Sequence, residues 1–312
     1  MTALADPSHR SVTSVARPLA ATGPTYNGRG GGSARLRGVF VATVLALASA
    51  GLHAAWNLVA KRSADPFIAL WGQFFVAGII GGVLLAATGG LPAIGWAWAA
   101  ASGAVHLPYL VALAWAYERG DFSVAYPLAR GGGALLAGIG GIVLLGDVVN
   151  AWTMAAIVTV VAGMMLLAAG ARPAGVRAAL FVALTIGVYT TIDSHAARTV
   201  ASDTYALAAF AAAGVTVTAY GCAVGRVSVM AAALRTQWRQ FTVTAAISMV
   251  TYGLVLAAVR RAPVGYVAAL RESSVLLAAF LGWRYLDERS VRRRGVAASV
   301  ILAGLVLLVV AR

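Results

Sequence analysis

Apolar residues run in long stretches along this chain, separated by short breaks that carry Gly, Pro, Asp or Arg. The stretches fall at 38–59, 66–87, 92–116, 122–145, 150–169, 176–197, 204–223, 240–259, 263–285 and 292–311. Each is close to the roughly 20 residues that a helix needs to cross a bilayer core. Strands of a membrane barrel would be shorter and would alternate apolar with polar positions, and these runs do neither. The pattern predicts an all-α polytopic membrane protein with about ten transmembrane helices. The longest connector is expected between Gly225 and Gln240.

Polar positions interrupt the apolar runs at matched places. An offset of 141 residues lays Arg130 on Arg271, Gly141 on Gly282, Leu145 on Leu286 and Asp147 on Glu288. It also lays Arg119 on Arg260, Leu135-Leu136-Ala137 on Leu276-Leu277-Ala278, and Ala162-Gly163 on Ala303-Gly304. Helices one and two match six and seven at slightly smaller offsets. Five helices per half is an odd number, so the halves would insert with opposite orientation, as two inverted repeats. The expected division is an N-terminal tail at 1–37, a first five-helix repeat at 38–170 and a second at 171–312. The tail is rich in Ser, Thr, Pro, Gly and Arg and is read as disordered. Its Gly run has no preceding strand and no following Gly-Lys-Ser/Thr, so it is not a nucleotide loop. Arg35 and Arg37 before an apolar run containing Ala48-Ser49-Ala50 resemble a signal peptide. The run continues past Ala50 and the repeat needs this helix, so an uncleaved first span is the better reading.

Composition agrees. The chain has 312 residues, of which 61% are hydrophobic and 11% charged, with a mean hydropathy of +0.84. A soluble domain would be about 25% charged. The net charge of +14 does not indicate nucleic acid, because most arginines lie between apolar runs, where they anchor helices at the lipid interface. No basic stripe interleaved with aromatics is present. Cys222 is the sole cysteine, which excludes an internal disulfide, and no Cys/His cluster suggests a metal site. No cofactor is expected.

In the first helix His53, Trp56 and Asn57 sit at i, i+3 and i+4 and share one face. Lipid would not solvate that face, so it must meet other helices or a wet cavity. The His-Ala-x-Trp-Asn cluster resembles the EamA branch of the drug/metabolite transporter superfamily. So does Val124-Ala125-Tyr126-Pro127-Leu128-Ala129-Arg130 followed by an apolar helix ending in Leu145-Gly146-Asp147. The second half repeats the signature from Ala262 to Ser274 and again at Leu286-Asp287-Glu288. Asp147 stands where the family usually carries Glu. The resemblance covers residues 38 to 311. It implies a ten-helix secondary carrier, not an enzyme, with cytoplasmic termini in a bacterial inner membrane and a central cavity between the halves. Counting basic residues in the loops instead favours an external N-terminus, with about seven on one side and about twelve on the other.

Arg130 and Arg271 lie about two turns inside their helices, where a charge is costly unless it is paired or functional. A guanidinium suits a carboxylate or phosphate, so the two are candidate substrate-binding residues. The alternative is that each is tied to an internal carboxylate. Glu272 adjoins Arg271 but points about 100° away on a helix, and can pair with Arg130 across the repeat interface or carry a coupling proton. Tyr189 and Asp193, at i and i+4, correspond to His53 and Asn57 at an offset of 136. Asp193 is the second proton-coupling candidate. His53, Trp56, Asn57, Tyr126, Tyr189 and Tyr266 are the further substrate-binding candidates. Asp147 and Glu288 are expected to cap helix ends, and His195 and Arg198 to lie at the interface. The Gly131-Gly132-Gly133 and Gly138-x-Gly140-Gly141 runs predict close helix packing, with a homodimer interface as the alternative. The partners expected are the lipid bilayer, a small anionic or zwitterionic metabolite and a proton. The competing readings are a proton-coupled multidrug exporter of lipophilic cations and, from another class, a non-transporting membrane scaffold or sensor.

Overall fold

The computed structural model describes residues 32–61, 63–119, 122–168, 173–200, 204–276 and 291–310. All regular structure among them is helical: α1 (Gly32–Lys61), α2 (Pro66–Ala87), α3 (Ala93–Arg119), α4 (Phe122–Leu145), α5 (Ala151–Ala168), α6 (Pro173–Thr199), α7 (Tyr205–Ala223), α8 (Val227–Val259), α9 (Val264–Arg271) and α10 (Val291–Val310). Seven of these helices are long and apolar enough to cross a membrane, and α5 and α10 carry shorter apolar runs. The chain is a polytopic α-helical membrane protein.

Helix boundaries follow local chemistry. The Asp65 carboxylate accepts from the Ile68 N–H at 3.0 Å, and Pro66 occupies the first helical position of α2. Asn150 likewise accepts from the Thr153 N–H at 2.7 Å and starts α5. At the end of α4, Gly146 takes φ of 70°, and the Asp147 N–H turns back to the Gly141 carbonyl at 2.9 Å. Only Gly enters that left-handed region without strain, and the turn is what carries Asp147 back toward the bundle.

Three boundaries differ from the sequence expectation. First, α1 begins at Gly32, inside the segment read as tail. Second, the expected 225–240 connector is helical from Val227, giving a 33-residue α8. Its first turns hold Met, Ala, Leu, Arg and Gln with no Gly or Pro, all good helix formers. Arg235, Trp238 and Arg239 are exposed there, so hydropathy alone began the helix too late. Third, the regular helix expected over 263–285 breaks at Glu272 and resumes at Ser273, while residues 277–285 lie outside the described residues.

The helices pack as a bundle in which α2 lies on α7, α5 on α10, α1 on α8, α3 on α6 and α7, and α4 on α6, α5 and α9. Large apolar side chains such as Val83, Leu144, Trp152 and Val215 are exposed, while His53, Gln73, His106, Arg130, Asp193, Arg271 and Glu272 are buried. Lipid solvates the outer face, and the polar groups collect inside, where they can find partners or a ligand. Glycines allow the close approach. A Cβ on Gly138 would stand 3.2 Å from the Gly265 Cα, so α4 and α9 meet backbone to backbone. Gly131, Gly132, Gly133 and Gly140 likewise face Met164, Ala183, Ile186 and Thr191 of this same chain.

Candidate functional site

A cavity with about 520 Å³ of non-atom space lies among α1, α2, α3, α6, α7 and α8. Aromatic rings dominate its wall: Trp56, Phe74, Tyr109, Tyr189, Phe210 and Tyr252. His53 and His106 join them, and Arg271 closes one side. The rings support one another. Tyr189 lies 4.3 Å from the His106 ring and 5.4 Å from Tyr109 between centroids, and Phe210 meets Tyr252 edge-on at 5.6 Å. His53 meets Trp56 edge-on at 4.9 Å, as their shared helical face requires. Pro108 sits inside α3 between His106 and Tyr109 and removes one donor from that helix's ladder. The His106 Nδ1 is engaged by the Ser102 carbonyl at 2.9 Å, one turn back.

The two intramembrane arginines are in different situations. Arg130 Nη2 donates to Glu272 Oε1 at 2.8 Å and its Nε to Oε2 at 3.3 Å. This two-point pair joins α4 to the end of α9, with both side chains 5% exposed or less. Arg271 is 7% exposed, and its Nε is a buried donor with no hydrogen-bond partner. The break after α9 separates the neighbours: Glu272 reaches Arg130 while Arg271 reaches the aromatic cavity. Arg271 also borders a second cavity with about 310 Å³ of non-atom space, which it shares with Arg130 and Glu272. A second buried donor on the aromatic wall, Trp56 Nε1, is also without an acceptor.

Asp193 is 1% exposed, and both of its oxygens are occupied. Tyr205 donates to Oδ1 at 2.7 Å, and the Tyr252 hydroxyl donates to Oδ2. The carboxylate thereby ties α6 to α7 and α8 just behind the Tyr252 ring.

The structure brings together His53, Trp56, Tyr189 and Arg271 around one cavity, with Arg130, Glu272 and Asp193 adjoining it. Tyr266 lies elsewhere: its hydroxyl meets Thr43 Oγ1 at 2.8 Å and pins α9 to α1. The side chains of Asn57 and Tyr126 lie outside the described residues, and so does Glu288. His106, Phe74 and Phe210 were not singled out from sequence. His106, a lone histidine in an apolar helix three residues before Tyr109, was the one available signal.

One cluster departs from the expectation of an interfacial Arg198. Its side chain is 10% exposed and donates to Asp147 Oδ1 at 2.7 Å, to the Val259 carbonyl at 2.8 Å and to the Ala262 carbonyl at 3.3 Å. Asp147 Oδ2 accepts from the Val264 N–H at 2.7 Å. Arg198 thus holds orphan carbonyls at the end of α8, and Asp147, as expected of a helix-end carboxylate, caps another helix, α9. Among the described residues no group of three His, Cys, Asp or Glu side chains could hold a metal ion.

The model of the EamA-like transporter family matches residues 173–310. No curated protein matches the chain. Among solved structures, 28 chains match. One, a crystal structure of a protein, aligns over 87% of this chain and 99% of its own, with 18% identity and a TM-score of 0.66. At that identity the likeness speaks for the fold alone.

Proposed function

From the premise that this chain, through residues 173–310, belongs to the EamA-like transporter family of the drug/metabolite superfamily, we propose that it is a secondary transporter carrying a small anionic metabolite. Transport would proceed by alternating access across a bacterial inner membrane, with both termini cytoplasmic. Ten transmembrane helices in two inverted five-helix repeats would rock about the buried cavity. The packing supports this reading. Exchanging each helix for the one five places on turns α1 on α8 into α6 on α3, and α4 on α6 into α9 on α1, and it leaves α2 on α7 and α5 on α10 unchanged.

One observation carries the substrate reading. Glu272 satisfies Arg130, while Arg271 presents a buried donor with no acceptor to the cavity. A buried guanidinium N–H lacking an acceptor is expensive, and an anionic substrate supplies the missing acceptor. A lipophilic cation would need an uncompensated carboxylate. Glu272 is bound to Arg130, and Asp193 is not among the described residues that line the aromatic cavity, which weighs against that substrate. The same two carboxylates are where a coupled proton would be carried.

The test is uptake of radiolabelled organic anions into proteoliposomes. Arg271→Gln is expected to abolish uptake in protein that still purifies as a monodisperse species. Uptake of lipophilic cations by both proteins, with none of any anion, would reject the proposal.

A further inference from the structure

Trp56 and Arg271 reach the cavity from different helices, and each brings a buried N–H without an acceptor: Nε1 of the indole and Nε of the guanidinium. Two stranded donors and no stranded acceptor among the described residues of the cavity wall call for a ligand group with at least two acceptor oxygens. Between these donors the wall is ring-lined, and rings pack best on a flat, apolar body through edge and face contacts. Among the described residues the wall holds no Asp or Glu. Asp193, the nearby carboxylate, is not among the described lining residues and accepts from Tyr205 and Tyr252. Glu272 lines the other cavity and is bound to Arg130. An ammonium group entering the cavity would therefore meet no free carboxylate, and its desolvation would go unrecovered.

We propose that the substrate is an aromatic monocarboxylate without an amino group. Its carboxylate lies on Arg271 and Trp56, and its ring lies against Phe74, Tyr189 and Phe210. This rests on the anion-carrier reading above and narrows it. A single negative charge matches the single guanidinium, Arg271, among the described lining residues of the aromatic cavity.

Titration calorimetry on the purified full chain in detergent tests the assignment with five probes: benzoate, 3-phenylpropionate, acetate, phenylalanine and benzylamine. The expected result is binding of the first two and none of the last three at the same concentrations. Trp56→Phe keeps an aromatic ring but removes the indole donor and part of its contact area, so it should weaken benzoate by a few-fold. Arg271→Gln should weaken it by at least about tenfold. If Arg271→Gln fails to fold, Arg271→Lys serves, since it keeps the charge but loses the Nε donor and should weaken benzoate in the same direction. Acetate binding as tightly as benzoate through Arg271 would overturn the aromatic assignment and leave the anion carrier standing. Phenylalanine binding as tightly as 3-phenylpropionate would overturn the exclusion of the amino group. Benzylamine binding alone would overturn both this proposal and the anion reading. No heat with benzoate or 3-phenylpropionate would overturn the proposal.

Discussion

Arg130 and Glu272 show how a buried charge is made tolerable in this bundle. The two-point geometry recovers in Coulombic and hydrogen-bond energy what desolvation removes, but only while both partners are present. Glu272→Gln should therefore destabilise the protein by about 3–5 kcal/mol, read as a fall in thermal midpoint in detergent. The double variant Arg130→Gln/Glu272→Gln should recover part of that loss, because no lone charge remains. A double variant no more stable than Glu272→Gln alone would mean that the pair is not the source of the cost. The pairing was legible from sequence, since the 141-residue offset put charges at corresponding depths in both halves. The fate of Arg271 was not, because the helices packed around it, and not its own helix, decide what its side chain meets. Tyr266 shows the same limit: an aromatic on a cavity-facing helix does not announce its face, and this one turns to Thr43. Phe210 was silent for a related reason, being a single apolar side chain in an apolar helix without a periodic signal.

At the level of the helix, α8 is the element hydropathy described least well. Its 33 residues extend about 50 Å, against a hydrocarbon core of about 30 Å, so several turns stand outside the lipid. Arg235, Trp238 and Arg239 mark that projecting end, with the Arg239 guanidinium 5.3 Å from the Trp238 ring. In a Cys222→Ser background, a cysteine at 235 should react with a membrane-impermeant maleimide, whereas one at 250 should not. Equal labelling at both positions would place the span differently. The α4–α9 crossing makes a second prediction. Gly265→Val would drive a side chain into the Gly138 Cα, which a Cβ already approaches to 3.0 Å, and overpacking of this kind costs about 1–3 kcal/mol. Gly253→Val, whose Cβ meets nothing within 4 Å, should be tolerated by comparison. The apolar spans themselves were readable almost to the residue, as α2 and α4 show, because length and hydropathy are fixed by the bilayer.

On the scale of the whole molecule, a few polar contacts tie the first five helices to the last five. Arg198, Asp147 and Val264 join α6, the turn after α4 and α9, while Thr43 and Tyr266 join α1 to α9. Movement of the halves against each other has to release these contacts. Arg198→Gln leaves Asp147 and two backbone carbonyls without that donor. It should raise labelling of a cysteine placed at 137, on the wall of the second cavity, relative to the unaltered chain. Unchanged labelling would show that the cluster only holds helix ends together. The proposed duplication was read from the sequence as the offset. The direction of insertion was not, since loop charge and family resemblance point opposite ways. Labelling at 235 in intact cells and in inverted vesicles decides between them.

The most direct test of the central claim, that Arg271 holds the charge of an anionic substrate, is thermal stability of purified protein against grouped metabolites and drugs. A ligand at about 100 times its dissociation constant stabilises the folded state by about 2.7 kcal/mol. The account predicts stabilisation by carboxylated compounds in the unaltered chain and its loss in Arg271→Gln. Stabilisation by lipophilic cations alone, unchanged in Arg271→Gln, would contradict it.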